Sequence, residues 1–399
     1  MKATFDSFLK VKGRSVQSGR KSVHLKGVNL GGWLMMEGYI LHAPNVAVQV
    51  FERDFQRVHG KKGLEEFQAS FRDHFIRADD LHRIAALGCN CIRVPFHYKL
   101  VEQASRGRQH PGIGYLDRVI RWARQSGLWV ILDLHAAPGS QNHDWHSDST
   151  GRAGLWTSRD CQRRTCRIWE FLADRYREET VVAGYDLMNE PVTEDRRALG
   201  NMMRELIRVI RRVDSRHMLF IEGNHWARDC DILEAFQDEN TVFHIHMYDP
   251  MEFAFNFNSE WSYPNHAGMK KSDLRTMIQA YDRVARKKNI PVLVGEFGVN
   301  YRFNTRGECD WVADMTRWFN DCGFHWTYWT YKAVKNAVLP DGIFSYYENP
   351  DWVRRQGPLM GWDTYAACWK TQKHLMARSW QTKNFRENTA LTRVLRKAF

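Results

Sequence analysis

Two glutamates stand where packing alone would not put them. Glu190 closes the run Gly184-Tyr185-Asp186-Leu187-Met188-Asn189-Glu190-Pro191, an apolar stretch that proline stops, because it lacks the backbone donor a sheet ladder needs. Glu296 lies in Val294-Gly295-Glu296-Phe297-Gly298, where glycines on both sides let the backbone come close to a site. Each is an acid at the end of an apolar strand pattern. One carboxylic acid facing one carboxylate is what cleavage of a glycosidic bond requires: the first protonates the leaving oxygen, the second attacks the anomeric carbon. At a separation of about 5 Å the reaction retains anomeric configuration through a covalent glycosyl-enzyme. The surroundings must then push the two pKa values apart.

Further polar and aromatic residues fall at the ends of other strand-like segments: Arg93 in IRVPFHY, His135 in LDLHAAPGSQN, His246 and Tyr248 in HIHMYDP, and Trp329 in YWTYK. Any one of them alone reads as a structural ion-pair partner, a satisfied histidine or a core tryptophan. Together they would load several separate burial penalties onto one end of successive strands, which points to a site. Roles follow from their types. Asn189 is placed to hydrogen-bond a sugar 2-hydroxyl beside Glu190. Tyr248 and Arg93 are placed to keep Glu296 ionised, and His246 to tune Glu190. Trp329 offers an apolar floor for a sugar ring.

The elements that must position these residues alternate regularly. Strand patterns cover residues 23–30, 89–95, 129–135, 182–189, 218–222, 242–248, 292–297 and 324–331, with amphipathic helical patterns at 71–87, 115–126, 161–176, 198–213, 273–288 and 310–321. Gly88, Gly127 and Gly323 stand where helix C-caps are expected. Strands each followed by a helix imply a parallel sheet, and eight such units imply a closed (β/α)₈ TIM barrel. In that fold the chemistry lies at the C-terminal ends of the strands, where the residues above fall. A hairpin formed by residues 8–11 and 23–25 is expected to cover the bottom. The catalytic barrel is assigned to residues 1–380, and a basic helical tail over 381–399 is expected to dock on its outside.

Composition bounds the rest. The chain has 399 residues, 43% of them hydrophobic and 13% aromatic, with sixteen tryptophans. That is a globular composition with flat rings to spare for sugars. A net charge of +12 raises the question of an acidic partner. The positives are spread along helical patterns, for example Arg204, Arg208, Arg211 and Arg212, and no base-stacking motif accompanies them. A solvated basic surface is therefore expected, and no nucleic-acid partner. No apolar run has the length of a membrane span or the character of a signal-peptide core, so a cytoplasmic protein is expected. The eight cysteines fit no paired zinc frame and read as free thiols.

The ordered set IRVPF, DLHAAPGSQN, NEP, HMY, GEFG and YWTYK resembles glycoside hydrolase family 5, retaining enzymes that include cellulases and exo-β-1,3-glucanases. The resemblance implies Glu190 as acid/base and Glu296 as nucleophile, as the chemistry does. The opening GVNLGGWLMMEGYI resembles the exo-β-1,3-glucanase segment whose acid binds the terminal glucose, which implies that role for Glu37. DLHAAPGSQN resembles the same branch and places Asn142 in a loop over the non-reducing end. FHWTYWTYK is as similar to endo-type bacterial β-glucanases. The expectation is hydrolysis of a β-glucoside or short β-glucan, exo-type favoured and endo-type the alternative. Interception of the intermediate by a sugar or lipid alcohol would make the site a transglycosylase. A barrel that only binds carbohydrate is disfavoured by the presence of both glutamates.

Two stretches carry no role from that resemblance: the insert 44–67 and the loop 249–271 with Phe253, Phe255, Phe257, Trp261 and Tyr263. Aromatic loops at a barrel mouth commonly wall leaving-group subsites. His143, Asp144, His146 and Asp148 crowd into NHDWHSDS at spacings a metal would accept. A polar loop lining a sugar site explains them as well, and two carboxylates need no ion, so neither metal nor cofactor is expected.

Overall fold

The computed structural model describes residues 5–108, 110–234, 237–265, 269–347 and 362–399. Eight strands form a closed, all-parallel barrel: β1 (Lys26–Asn29), β2 (Cys91–His97), β3 (Trp129–Ala136), β4 (Val182–Asp186), β5 (Met218–Glu222), β6 (Thr241–His246), β7 (Val292–Phe297) and β8 (His325–Tyr328). The ring closes through β8 pairing with β1, Tyr328 opposite Val28. The (β/α)₈ barrel expected from the alternation is therefore the observed fold. Two strands match their expected limits, at 218–222 and 292–297, and the others shift by a few residues at their ends.

Apolar residues read in the sequence as strand faces pack outward against the helices, as Val28, Ile92, Val130, Tyr185 and Val294 do in the main core. A second cluster lies at the opposite end from the candidate site: Leu9 and Val16 meet Cys91, Trp129, Met218, Phe220 and Leu293. Leu9 and Val16 come from a three-stranded antiparallel meander, Leu9–Lys12, Ser15–Ser18 and Lys21–Val23, not from the single hairpin expected. The turns at Gly13 and Gly19 sit in left-handed backbone, so the Gly/Ser-rich stretch makes a strand of its own between two reversals. Burying one such aliphatic side chain contributes about 1.5–3 kcal/mol.

The helix expected over 71–87 is two helices. Val48–Phe75 ends at Ile76, and Ala78–Ala86 begins after Arg77, both connecting residues being extended. The break is chemical: Asp80 accepts from the Arg77 backbone N–H at 2.8 Å and so caps the second helix. Val48–Phe75 is itself interrupted at Gly60 (φ 70°, ψ 175°), and the insert 44–67 supplies the arm before that break and the start of the arm after it. The two arms fold on each other, with Phe51 and Phe67 ring centroids 5.3 Å apart, and lay Phe51, Phe55, Phe67 and Phe71 against Tyr365, Trp369 and Trp380.

Residues 389–398 form a helix, Thr389–Ala398, whose Leu391 and Leu395 are buried and which packs against Glu308–Cys322. Phe399 stacks on Trp326 with ring centroids 4.9 Å apart. Lys332, fully buried beside β8, donates to the carbonyls of Phe75 and Trp380 and to Thr382 Oγ1, tying this C-terminal part to the barrel. Among the described residues no helix is long and apolar enough to cross a membrane.

Candidate active site

Glu190 and Glu296 meet at the C-terminal mouth of the barrel. One carboxylate oxygen of each and one ring nitrogen of His246 all lie within 4.8 Å of one another. Regular pairing of β4 ends at Asp186, earlier than the sequence pattern indicated. Two more ladder-like bonds, Leu187 N to Phe220 O and Asn189 N to Leu134 O, carry the chain to the rim. There Glu190 turns into left-handed backbone, φ 47°, an unusual conformation for a residue with a side chain. Two side chains hold the turn: the Glu190 N–H donates to Glu222 Oε2 at 2.6 Å, and the Asn142 amide donates to the Glu190 carbonyl at 2.9 Å.

On the other side, β7 carries a register irregularity between Val294 and Glu296. Gly295 sits in it for a steric reason, since a Cβ there would lie 1.6 Å from the His244 ring. The glycine lets that buried histidine fill the space directly under Glu296.

The two acids have different partners. Glu296 Oε1 accepts from Arg93 Nη1 at 2.6 Å and Oε2 from the Tyr248 hydroxyl at 2.8 Å. Glu190 Oε1 faces His246 Nδ1 at 2.7 Å, and its Oε2 faces His146 Nε2 at 3.0 Å. Burial would raise the Glu190 carboxyl, but His146 and His246 outweigh it and hold the group well below the usual range. Burial opposes charge on His146, yet the Glu190 carboxylate, then Glu37 and Asp144, raise its ring to about 9.

Under this pair lies a layer the strand-end reading missed. Asp133 of β3, Asp186 of β4, Glu222 of β5 and His244 of β6 are buried around Arg93 of β2. The Arg93 guanidinium reaches Asp186 at 2.7 Å, Asp133 at 3.1 Å and Glu222 at 3.3 Å, besides Glu296. Burial pushes Asp133 and Glu222 well above the carboxylate range, against the pull of Arg93. Burial acts on Asp186 too, but His244 and Arg93 lower it. A signal existed: Asp133 and His244 each stand two residues before a noted histidine, and alternate strand residues share a barrel face.

The other expected residues divide into cavity walls and supports. Glu37, His135, His246, Tyr248 and Trp329 line a cavity of about 440 Å³ with both glutamates. His135 stacks on Trp329, ring centroids 5.5 Å apart and 10° between planes, and its Nδ1 meets Asp133 Oδ2 at 2.7 Å. Burial pushes its ring down to about 3, so it sits there neutral. Glu37 Oε1 is buried with no hydrogen-bond partner among the described residues, 3.6 Å from His135 Nε2. Burial raises the Glu37 carboxyl well above its usual range.

Asn189, Arg93 and Asn142 do not line the cavity. Asn189 Oδ1 accepts from Arg93 Nη2 at 2.7 Å, and Asn142 lies fully buried within the loop that follows β3. Tyr39, whose hydroxyl accepts from Trp329 Nε1, and Trp145 complete the wall beside Glu37.

The side chains of the NHDWHSDS loop diverge instead of converging on one point. His146 turns to Glu190, Asp148 Oδ2 to His97 at 2.8 Å, and Asp144 Oδ2 accepts from Trp226 Nε1 at 2.7 Å. Trp226 is a further residue without a sequence signal. It follows β5 in three consecutive left-handed residues, His225, Trp226 and Ala227, and lines the cavity mouth while 38% exposed. Such a run is strained for side-chain-bearing residues. Of the loop 249–271, Phe255 and the 57% exposed Phe257 line the same mouth, whereas Phe253 and Tyr263 are buried below it and residues 266–268 lie outside the described residues.

A parallel eight-stranded barrel with two facing carboxylates at its C-terminal mouth defines a class, the barrel-type glycoside hydrolases. Residues 55–335 match the family model for cellulase, glycosyl hydrolase family 5, and the chain belongs to that family. It is 32% identical over 347 residues to a β-xylosidase of Phanerodontia chrysosporium, across 82% of this chain and 71% of that one. It is 26% identical over 344 residues to endoglucanase C of Acetivibrio thermocellus, across 77% and 91% of the two chains. A probable glucan 1,3-β-glucosidase A of Aspergillus clavatus matches at 32% over 251 residues, 59% of each chain. In fold it resembles Thermotoga maritima Cel5A solved with cellobiose, with a TM-score of 0.61 at 17% identity over 94% of this chain and 97% of that one. The protein is a glycoside hydrolase.

Proposed function

We propose that the protein cleaves β-glycosidic bonds with retention, Glu296 acting as nucleophile and Glu190 as acid/base. The observation that carries this is the pair of carboxylates, with oxygens within 4.8 Å across the mouth and unlike partners. Inverting enzymes need about 6.5–9.5 Å between carboxyl groups to admit a water, whereas direct attack needs about 5–5.5 Å. Glu296 is held by two donors, Arg93 and Tyr248, which fix its oxygens in place for attack. Glu190 faces only imidazoles, which can give or take a proton. In the first step Glu190 protonates the leaving oxygen while Glu296 bonds to the anomeric carbon; in the second Glu190 takes a proton from water as water displaces Glu296.

The sugar at the bond is read as held between Trp329, His135 and Glu37. The unpaired Glu37 oxygen and the Tyr39–Trp145 wall favour exo attack on a β-glucoside or short β-glucan, with the leaving group lying toward Trp226, Phe255 and Phe257. The β-xylosidase relative favours a β-xyloside as second reading. Aryl β-glucoside and β-xyloside turnover separates the sugars, and ¹H NMR of the first-formed product tests retention. An initial β-anomer is expected; an initial α-anomer overturns the mechanism.

A further inference from the structure

The loop over residues 142–148 puts a histidine against the carboxylate of Glu190. His146 Nε2 stands 3.0 Å from Glu190 Oε2, and His246 Nδ1 stands 2.7 Å from Oε1. Both oxygens of the carboxylate thus face imidazole nitrogens. The Asn142 amide fixes what lies in the outer contact. Its Oδ1 accepts from the Asp144 N–H at 2.9 Å, so the other end of the amide is the NH₂ group. That NH₂ donates to the Glu190 carbonyl at 2.9 Å and reaches His146 Nε2 at 3.1 Å. Nε2 accepts from that NH₂ only while it carries no proton, which is the state with the proton on Glu190 Oε2; a bare ring nitrogen and a bare carboxylate oxygen would both be acceptors. Two lone pairs at hydrogen-bond distance repel, so a proton must lie between Nε2 and Oε2.

We propose that His146 and Glu190 hold one proton between them and that His146 is the reservoir from which the acid/base is charged. The proposal rests on the reading of Glu190 as acid/base. When substrate binds, the proton moves from Nε2 to Oε2, leaving His146 neutral. Glu190 then delivers it to the glycosidic oxygen as the bond to the anomeric carbon breaks and the Glu296 bond forms. In the second step Glu190 takes a proton from the attacking water as the Glu296 bond breaks, and that proton returns to Nε2. The pair carries one proton before and after each turnover, so no further reactant is needed.

The surroundings suit this division. Glu37 across the cavity, Asp144 on the same loop and the Glu190 carboxylate favour charge on the His146 ring, while burial opposes it. Glu222 beneath the Glu190 amide and Glu296 beside it are both tied to Arg93. His135, 6.3 Å from the His146 ring, is held neutral by burial, and His246 takes the inner oxygen. The loop itself is anchored, with Asp144 bound to Trp226 Nε1 and Ser147 Oγ to the Asn142 carbonyl at 3.1 Å.

The test is the pH dependence of kcat/KM for wild type, His146→Gln and His146→Ala, each on two substrates of the preferred sugar: a 2,4-dinitrophenyl glycoside, whose leaving group needs little protonation, and a methyl glycoside, whose leaving group needs a full proton. In both variants the basic limb is expected to move down by at least about one pH unit, and methyl glycoside turnover at pH 7 to fall by about 100-fold or more, the lower end of the scale of general-acid assistance. The dinitrophenyl substrate should lose less than about threefold, the glutamine variant serving if the alanine variant does not fold. An unmoved basic limb, or equal losses on both substrates, overturns the proposal. Glu190→Ala separates this from the assignment beneath it. A loss confined to the methyl glycoside supports Glu190 as the acid, and an equal loss on both removes that role whatever His146 does.

Discussion

Arg93 and Glu296 form the central contact of the site: Nη1 donates to Oε1 at 2.6 Å, with Arg93 fully buried. Three other carboxylates, Asp133, Asp186 and Glu222, lie within 3.3 Å of the same guanidinium. One cation thus gathers four buried acids, one of which is the proposed nucleophile. Arg93→Met should leave those acids unpaired and lower stability by about 3–5 kcal/mol, the cost of breaking a buried ion pair. Urea unfolding measures it, and a loss below about 1 kcal/mol contradicts the reading.

Tyr248 makes the second bond to Glu296, at 2.8 Å through its hydroxyl. Tyr248→Phe removes one hydrogen bond to a charged group, about 1.5–3 kcal/mol. The expected outcome is a fall in kcat of about 10–100-fold on an activated aryl glycoside, with the unfolding midpoint little changed. Unchanged kcat would show that Glu296 does not depend on this donor.

Trp226 stands at the mouth on its strained turn, its indole N–H bound to Asp144. If it is the platform for the leaving group, Trp226→Ala should raise KM for a disaccharide or longer oligosaccharide by about tenfold, the loss of one stacking contact. A small aryl glycoside should be affected much less. Equal changes on both would place Trp226 outside substrate contact.

Acid lability follows from buried neutral histidines. His325, at the bottom of the barrel, accepts from the Leu25 N–H at 3.0 Å, and burial, with His24 adding, pushes its ring down to about 3. An unfolded histidine titrates near pH 6.5, so below that pH the unfolded chain binds a proton the native chain refuses. Stability is therefore lost as pH falls from about 6.5 towards 3, by about 1.4 kcal/mol per pH unit for each such group. His135, and His244 pushed down to about 4, act in the same direction. His325→Asn keeps an acceptor for Leu25 and should flatten the fall in urea midpoint between pH 6.5 and 4. An unchanged slope assigns it to other groups.

The barrel and both glutamates were legible in the sequence because strand ends carry short, punctuated signals: a proline after Glu190, glycines around Glu296. His135, His246, Tyr248 and Trp329 were legible at strand ends too, whereas Glu37 came only from the family resemblance of GVNLGGWLMMEGYI; the structure brings all five to one cavity. The acid layer around Arg93 was not read, because Asp133, Asp186 and Glu222 sit inside apolar strand patterns where only the alternation of faces marks them. His146 was legible only as one polar residue of a loop lining a sugar site, and Trp226 carried no usable signal. A loop sequence gives residue types, but the backbone path that swings His146 over Glu190, or turns Trp226 to the mouth, depends on contacts with strands far away in the chain. Asn142 shows the converse: its side chain holds that path in place and does not line the cavity. The break at Ile76 was missed because the apolar period runs through it, while the cap from Asp80 is a single local bond.

The central claim, that Glu296 forms the covalent intermediate, is tested most directly by trapping it. Incubation with the 2,4-dinitrophenyl 2-deoxy-2-fluoro-β-glycoside of the preferred sugar should inactivate the enzyme with release of one dinitrophenolate per chain. Peptide mass mapping should then place a single fluorosugar on Glu296, with none on Glu296→Ala. A label on Glu190 or on any other residue would contradict the assignment.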